Sequence, residues 1–418
     1  MSEATAPVGR LRPDRLSVEE ARTRVLAEVT AVSATERLAL RSALRRVLAE
    51  DVISPIDVPS HTNAALDGYA VAGAELPAHG KKEFRIVGTA WAGRPYEGTV
   101  PPGGCVQIMT GAPMPAGTDT VVAAENVQAE EGRAVVDCDR HDARNVRRAG
   151  EDIARGQVAL RRGKRLGPAE LGMLASLGLG EVAVYRRPRV AFFSTGDELR
   201  SLGEPLAPGQ IYDSNRYTLY AMLTELGVEL LDMGVVRDRR EDVRRALIEA
   251  AASADAIITT GGVSVGEADH IKEILGALGR ISFWQVAMRP GRPLAFGRID
   301  RASFFGLPGN PVAVMVTFYQ FVQPALRRMM GEARPVLVPT LRARCLSPLK
   351  TRVGRTEFIR GILSRDEHGE WVVRTTGNQG SGILSSMSIG NCFIVLPPES
   401  ESTEPGAIVE VQPFHGLC

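Results

Sequence analysis

Short apolar runs alternate with helical spacing through the middle of the chain. Val190 to Phe193, Val228 to Leu231, Ala256 to Thr259 and Phe304 to Gly306 read as buried strands. Between them Leu219, Leu223 and Leu226 fall on one helical face before Gly227, and Val243, Ala246, Leu247 and Ala250 fall on another. Strand and helix in alternation predict an open, mainly parallel sheet covered on both faces.

The flanking regions follow other patterns. Ser17 and Glu20 read as a capping box ahead of a helix carrying Ala21, Val25 and Val29, and a second helical pattern runs through Leu40, Ala43, Leu44, Val47 and Leu48. From Pro55, Pro and Gly punctuate short β runs: Phe84 to Thr89, Val106 to Thr110, Thr120 to Ala124 and Arg133 to Asp137. A basic patch (Arg144, Arg147, Arg148) with Gly150 leads to a short helix near Pro168 to Leu177, and Arg186 to Pro188 reads as a linker. Beyond about residue 335, Phe358 to Leu363, Trp371 to Thr375, Cys392 to Leu396 and Ile408 to Val411 predict a small barrel. The expected class is a multidomain α/β and β protein. It comprises a discontinuous elongated helical and extended segment (17–54 plus 150–187), a β-rich domain (55–149), an open parallel α/β domain (188–335) and a C-terminal small β barrel (336–418).

Composition narrows the function classes. Fifty basic against 49 acidic side chains leave a net charge of +1, so no global field draws the 418-residue chain to nucleic acid or an anionic membrane. Three Trp disfavour a stacking platform for single strands. Five scattered cysteines without a CxxC pair indicate neither a disulfide framework nor a thiolate zinc site, which fits a reducing cytoplasm. The N-terminus lacks an apolar signal region and no run of ~18 apolar residues occurs, so a soluble, unexported chain is expected.

In an open parallel sheet the ligand sits beyond the carboxyl ends of the strands, so the residues that follow each apolar run are the informative ones. Here they are polar and glycine-rich: Ser194 to Glu198 (including Gly196 and Asp197), Asp238, Thr260 to Asp269, and Leu307 to Pro311. Gly261, Gly262 and Gly266 allow close backbone approach to a phosphate or pterin, with Ser264 in the same loop. Glu198, Asp238 and Asp269 project three carboxylates from one edge, suited to Mg²⁺ against phosphate oxygens or to general-base work. Asp238 with Glu241 equally fits a helix capping box, and Asp213 or Ser214, ahead of Asn215, could cap the next helix. Arg289, Arg292 and Arg298 surround Pro290-Gly291 and Pro293, where turns would present guanidinium forks to a tetrahedral oxyanion; a solvated basic turn is the alternative. No Walker A motif, GxGxxG fingerprint, HExxH or GxSxG is present.

Taken in order, LDGYA (66–70), IMTGAP (108–113), GEDI (150–153), FSTGDEL (193–199), IYDSN (211–215), GGVSVGEAD (261–269), FGLPGNPV (305–312), GNQGSG (377–382) and GNCFIVLP (390–397) closely resemble the molybdopterin molybdenumtransferase family, which includes bacterial MoeA and the gephyrin E domain. The resemblance runs from about Ser17 to the C-terminus. It implies a four-domain enzyme of molybdenum cofactor biosynthesis that inserts molybdate into adenylylated molybdopterin and releases AMP with Mg²⁺. It also implies that residues 188–335 form the molybdopterin-binding domain, and that a homodimer completes the cleft with its partner chain. Transient contacts with the molybdopterin adenylyltransferase and with acceptor molybdoenzymes belong to the same expectation, with no nucleic acid and no membrane.

The functional positions it implies are Asp67, Thr110, Glu198, Asp238, Asp269, Pro308 and Pro311, with Arg360 and Ser381 from the C-terminal domain. Glu198 and Asp238 are the expected metal ligands, and Asp269 an expected pterin contact or proton acceptor. The cofactor set adds Gly196, Asp197, Asp213, Ser214, Asn215, Gly261, Gly262, Ser264, Gly309 and Asn310, while molybdate is expected near Arg289, Arg292, Arg360 and Ser381. The chain departs from bacterial relatives, which often carry Lys where it has Gln285, Arg289 and Arg292, and Ser and Met where it has Ala64 and Leu66. Arg keeps the charge but enforces planar, bidentate geometry. Two rivals remain at this point, a non-catalytic scaffold and a nucleotide-dependent hydrolase acting without molybdate.

Overall fold

The computed structural model describes residues 15–137, 144–261, 269–333 and 339–414. Two compact units emerge. One comprises Arg37–Leu44 with Glu50–Val182; the other comprises Arg45–Ala49 with the chain up to Glu36 and from Ala183 onward.

The second of these is built on a seven-stranded sheet. In chain order its elements are β1 (Arg15–Leu16), α1 (Val18–Glu28), β2 (Arg189–Thr195), α2 (Ser214–Leu226), β3 (Glu229–Val236), α3 (Arg240–Ser253), β4 (Ala256–Thr260), α4 (Asp269–Leu278), β5 (Gly279–Val286), β6 (Met288–Arg289), β7 (Pro293–Ile299), β8 (Ala302–Leu307), α5 (Pro311–Thr317) and α6 (Gln323–Met329). The sheet order is β1-β5-β7-β8-β4-β2-β3. The four strands expected from the apolar runs are parallel to one another. β7 runs antiparallel to both its neighbours, β5 and β8, whereas β5 pairs in parallel with β1, so the sheet is mixed. These two strands escaped the sequence reading because polar residues (Arg280, Ser282, Gln285, Arg298) and Pro293 interrupt their apolar pattern. Side chains alternate between two cores: Val190 and Phe192 pack with α1, α2 and α5, whereas Ala191 and Phe193 pack with α3 and α4.

The same unit carries the barrel, formed by β9 (Leu341–Cys345), β10 (Thr356–Arg365), β11 (Trp371–Thr375), β12 (Cys392–Leu396) and β13 (Ile408–Pro413), with the short α7 (Ser385–Ile389) between β11 and β12. A β10–β12 pairing closes it into five strands. Barrel and sheet are joined in two ways. β6, which lies between two strands of the large sheet, pairs instead with β10, setting Arg289 opposite Glu357. An aromatic seam joins Tyr319 to Phe393 (6.1 Å) and Phe414 (5.9 Å, stacked), with Phe358 against Phe393 (5.9 Å). Beside it Gln320 Nε2 donates to Gln412 Oε1 at 3.0 Å.

In the other unit a six-stranded sheet runs in the order Thr120–Ala123, Gly68–Val71, Gly104–Ile108, Lys81–Ala90, Arg133–Asp137, Val127–Glu130. Gly68 sits so close to its neighbour that a Cβ there would lie 1.9 Å from the Val122 carbonyl oxygen, which excludes every other residue.

Several local expectations are met and others corrected. The Ser17–Glu20 capping box forms, with Glu20 N–H donating to Ser17 Oγ at 3.1 Å and Ser17 N–H to Glu20 Oε2 at 2.7 Å. The second opening helix does not form. Residues Thr35–Ala39 are a strand and Leu40–Ala43 a single 3-10 turn, and Arg45 adopts φ 65°, which a helix cannot continue through. Arg239, not Asp238, occupies the N-cap of α3, without a side-chain cap, so the Asp238–Glu241 capping box is absent.

Phe393 is fully buried at the centre of the seam. Replacing Phe393 by Ala is expected to cost about 3–5 kcal/mol and to lower the thermal-unfolding midpoint measured by circular dichroism.

Candidate functional site

Two neighbouring cavities open at the carboxyl ends of the parallel strands. The first, about 570 Å³, is lined by Thr195, Glu198, Ile211 to Asn215, Thr260, Gly309 to Pro311, Gly382 and Leu384 among others. The second, about 440 Å³, is lined by Arg289 to Pro293, Pro308, Ala313, Gln379 and Ser381. Gly261, Gly309 and Asn310 line both, so the two spaces share a wall.

Local rules place each part of the first cavity. Asp213, 2% exposed, caps α2 by accepting from the Arg216 N–H at 3.1 Å through Oδ1. Its Oδ2 is buried without a hydrogen-bond partner, and so is Asn215 Oδ1. Asn215 Nδ2 donates to the Gly309 carbonyl at 2.7 Å and ties α2 to the Leu307–Pro311 loop. Two buried acceptors without donors suit a ligand that brings N–H groups. Ser214 is the first residue of α2, and Pro311 the first of α5, where its missing N–H costs nothing. Gly261 adopts φ 85°, and a Cβ there would lie 2.4 Å from the Thr195 carbonyl oxygen.

The carboxylates are distributed less evenly than expected. Glu198 is exposed on the cavity wall, its carboxylate folded back toward Gly196. Asp197 is exposed in the same turn, where its carbonyl accepts from Arg200 Nη1 at 3.0 Å. Asp238 is exposed beyond β3, which pairs with β2, and lines neither cavity. Asp269 opens α4, while Gly262 and Ser264 lie outside the described residues. Among the described residues no three His, Cys, Asp or Glu gather into a metal-binding group.

The second cavity is cationic. Arg289, the last residue of β6, and Arg292, on the turn that follows, are both exposed. Arg298 is not part of it: it lies toward the far end of β7, with Nη2 donating to the Arg301 carbonyl at 3.3 Å. Arg360, from β10, is 1% exposed and lines neither cavity; among the described residues its guanidinium is met only by neutral acceptors, Nε donating to Ser386 Oγ at 3.0 Å and Nη2 to the Gly380 carbonyl at 3.0 Å, next to the cavity residues Gln379 and Ser381. Burial, and next the neighbouring Arg289 charge, lower its pKa to about 10, so it stays cationic at neutral pH. A buried cation lacking a carboxylate is costly unless an anion joins it. Arg289 itself lies 3.9 Å from Glu357, whose carboxylate is held by Arg355 at 2.8 Å. Ser381 reaches the same cavity, its carbonyl accepting from the Val312 N–H at 3.2 Å. Gln379, Ser386 and Glu357 were not singled out from sequence; only their place in or near the GNQGSG string and β10 could have flagged them.

In the other compact unit, antiparallel pairing of Gly68 with Ile108 brings Asp67 and Thr110 together. Thr110 donates to Asp67 Oδ1 from Oγ1 (2.6 Å) and from its backbone N–H (2.7 Å). These two hydrogen bonds, the hydroxyl's first, hold the exposed Asp67 carboxyl below its ordinary pKa.

Two predictions follow from this geometry. Thr110→Val removes one of the two donors and is expected to move the Asp67 pKa up toward the usual carboxylate range; an unchanged NMR titration would show that the hydroxyl does not hold it. Gly261→Ala forces a methyl group into the Thr195 carbonyl at a left-handed φ, and a loss of about 1–3 kcal/mol in chemical denaturation is expected.

Comparison with known proteins places these features in context. Residues 16–178 match the MoeA N-terminal region (domain I and II), 191–328 the probable molybdopterin binding domain, and 342–414 the MoeA C-terminal region (domain IV). The chain is 42% identical over 403 residues to a molybdopterin molybdenumtransferase of Haemophilus influenzae, covering 96% of this chain and 99% of that one. It is 31% identical to gephyrin of Dictyostelium discoideum over 90% of this chain and 59% of that protein. A crystal structure of the molybdopterin biosynthesis moeA protein from Pyrococcus horikoshii superposes with a TM-score of 0.81 at 28% identity, covering 96% of this chain and all of that one.

Proposed function

The chain belongs to the MoeA family of molybdopterin molybdenumtransferases, and we propose that its paired cavities hold adenylylated molybdopterin beside molybdate. It is an enzyme of molybdenum cofactor biosynthesis that inserts molybdenum into molybdopterin. The observation that carries the finer reading is the wall shared by the two cavities at Gly261, Gly309 and Asn310, which lets a dithiolene in one space abut an oxyanion in the other.

In this reading Asp213 Oδ2 and Asn215 Oδ1 accept from the N–H edge of the pterin. Gly196, Asp197, Ser214, Gly261, Gly309 and the two prolines Pro308 and Pro311 shape the space around the pterin and its adenylate. Gly262, Ser264 and Asp269 complete that loop, Asp269 as a pterin contact or proton acceptor. Arg289, Arg292, Arg360 and Ser381 receive molybdate, planar forks against a tetrahedral dianion in a partly dry site.

AMP release and Mg²⁺ dependence are part of the proposal. Mg²⁺ takes one or two carboxylates and completes its shell with water and substrate phosphates. Glu198, on the wall of the first cavity, fits that modest requirement, and it would hold the ion together with Asp238, which leaves the adjacent strand end outside the cavity lining; the ion would neutralise the pyrophosphate charge. The proposal also divides the chain into the four segments bounded near residues 55, 150, 188 and 336 and places it in the cytoplasm. No helix among the described residues is long and apolar enough to cross a membrane. A homodimer whose partner chain completes the cleft is included, with the exposed Asp67–Thr110 pair as a contributor, and so are transient contacts with the adenylyltransferase and acceptor enzymes.

Supplying adenylylated molybdopterin, Mg²⁺ and molybdate and measuring both AMP and metallated cofactor tests the reading. Arg360→Ala should lower molybdate-dependent transfer by about 100-fold or more, the scale of losing one preorganised charge-stabilising donor. AMP release at full rate without molybdate would instead mark a hydrolase.

A further inference from the structure

Gln379 lines the molybdate cavity, yet its carboxamide is spent on the backbone of β10 and on the loop that carries it. Oε1 accepts from the Arg360 N–H at 2.8 Å. Nε2 donates to the Arg360 carbonyl at 3.1 Å, to Thr376 Oγ1 at 3.2 Å and to the Gly377 carbonyl at 3.1 Å. The pairing of β10 with β11 ends at Gly361–Thr375, and just beyond it the Thr376 N–H still donates to the Arg360 carbonyl at 3.0 Å; Gln379 supplies the acceptor for the Arg360 N–H and a further donor to its carbonyl.

The neighbouring contacts show what this clamp orients. The next residue, Gly380, provides the carbonyl that accepts from Arg360 Nη2, and Ser381 lines the cavity while its carbonyl accepts from Val312 at the start of α5. One side chain therefore fixes the backbone of the buried cation and the loop that supplies both its neutral acceptor and the cavity serine. We propose that Gln379 is a positioning residue for the oxyanion site, acting through Arg360 and Ser381 to set oxyanion affinity rather than turnover at saturation. The inference rests on the reading that this cavity takes molybdate.

The test uses the full chain with Gln379→Ala, the isosteric Gln379→Glu and, as a reference, Arg360→Ala. Sodium molybdate binding is measured by calorimetry without nucleotide, and KM for molybdate and kcat are measured in the transfer assay. Gln379→Ala should raise the molybdate Kd and KM about tenfold, the scale of one or two neutral hydrogen bonds, with kcat within about twofold. Gln379→Glu keeps the acceptor, loses the donors and adds like charge, so it should bind molybdate more weakly than Gln379→Ala while its unfolding midpoint stays near that of the parent chain; should the alanine variant fail to fold, this isostere decides. Unchanged KM in Gln379→Glu, or a fall in kcat at unchanged KM, overturns the positioning role. Parental molybdate affinity in Arg360→Ala overturns the underlying cavity reading, whereas loss there with parental affinity in both Gln379 variants overturns the positioning role alone.

Discussion

The candidate site depends on the aromatic seam that holds the barrel against the large sheet. Tyr319, Phe358, Phe393 and Phe414 interlock across it, and the buried Gln320–Gln412 hydrogen bond supplies direction that ring packing alone does not. Gln379 and Ser381 line the second cavity from the barrel, whereas Gly261, Arg289 and Asn310 line it from the sheet domain, so the second cavity exists only while the seam is closed. The detour of β6 out of the large sheet to pair with β10 reinforces the join where the cations meet.

Within that frame the two cavities differ in electrostatic character. The first presents unpartnered acceptors, Asp213 Oδ2 and Asn215 Oδ1, and thus calls for donors. The second carries Arg289 and Arg292 on its wall, with the buried Arg360 guanidinium, bonded to a serine hydroxyl and a carbonyl, behind its Gln379–Ser381 side, and thus calls for an anion. Glu357 moderates the second site: paired with Arg355, it stands near Arg289 and limits the repulsion between Arg289 and Arg360. A ligand with an N–H-rich ring and a separate tetrahedral dianion satisfy both demands at once, which is the pairing the proposed reaction requires.

Much of this was legible beforehand, and for local reasons. The parallel strands β2, β4 and β8 showed as uninterrupted apolar runs because both their faces are buried, as Ala191 and Phe193 on one side and Val190 and Phe192 on the other demonstrate, while β3 at the sheet edge is only partly covered. Asp213 could be read as a cap because capping needs only the next three residues. Gly261 could be read as a close approach, and its left-handed φ and contact with Thr195 supply the cause. The reading failed where a neighbour in space overrode local pattern: β5 and β7 carry polar residues that the pairing tolerates, and Arg298 was grouped with a turn from which its strand carries it away.

The amino-acid sequence by itself determined the alternation of elements, the helix starts, the glycine turns and the ordered strings that mark the family, because each depends on residues within a few positions of one another. Tertiary structure alone decided that Asp238 lines neither cavity, that Arg360 is buried among neutral partners, and that Gln379 clamps it. Those outcomes depend on how the sheet packs against a barrel distant in sequence, and the desolvation and hydrogen-bond geometry that follow from such packing are not properties of any local stretch of chain.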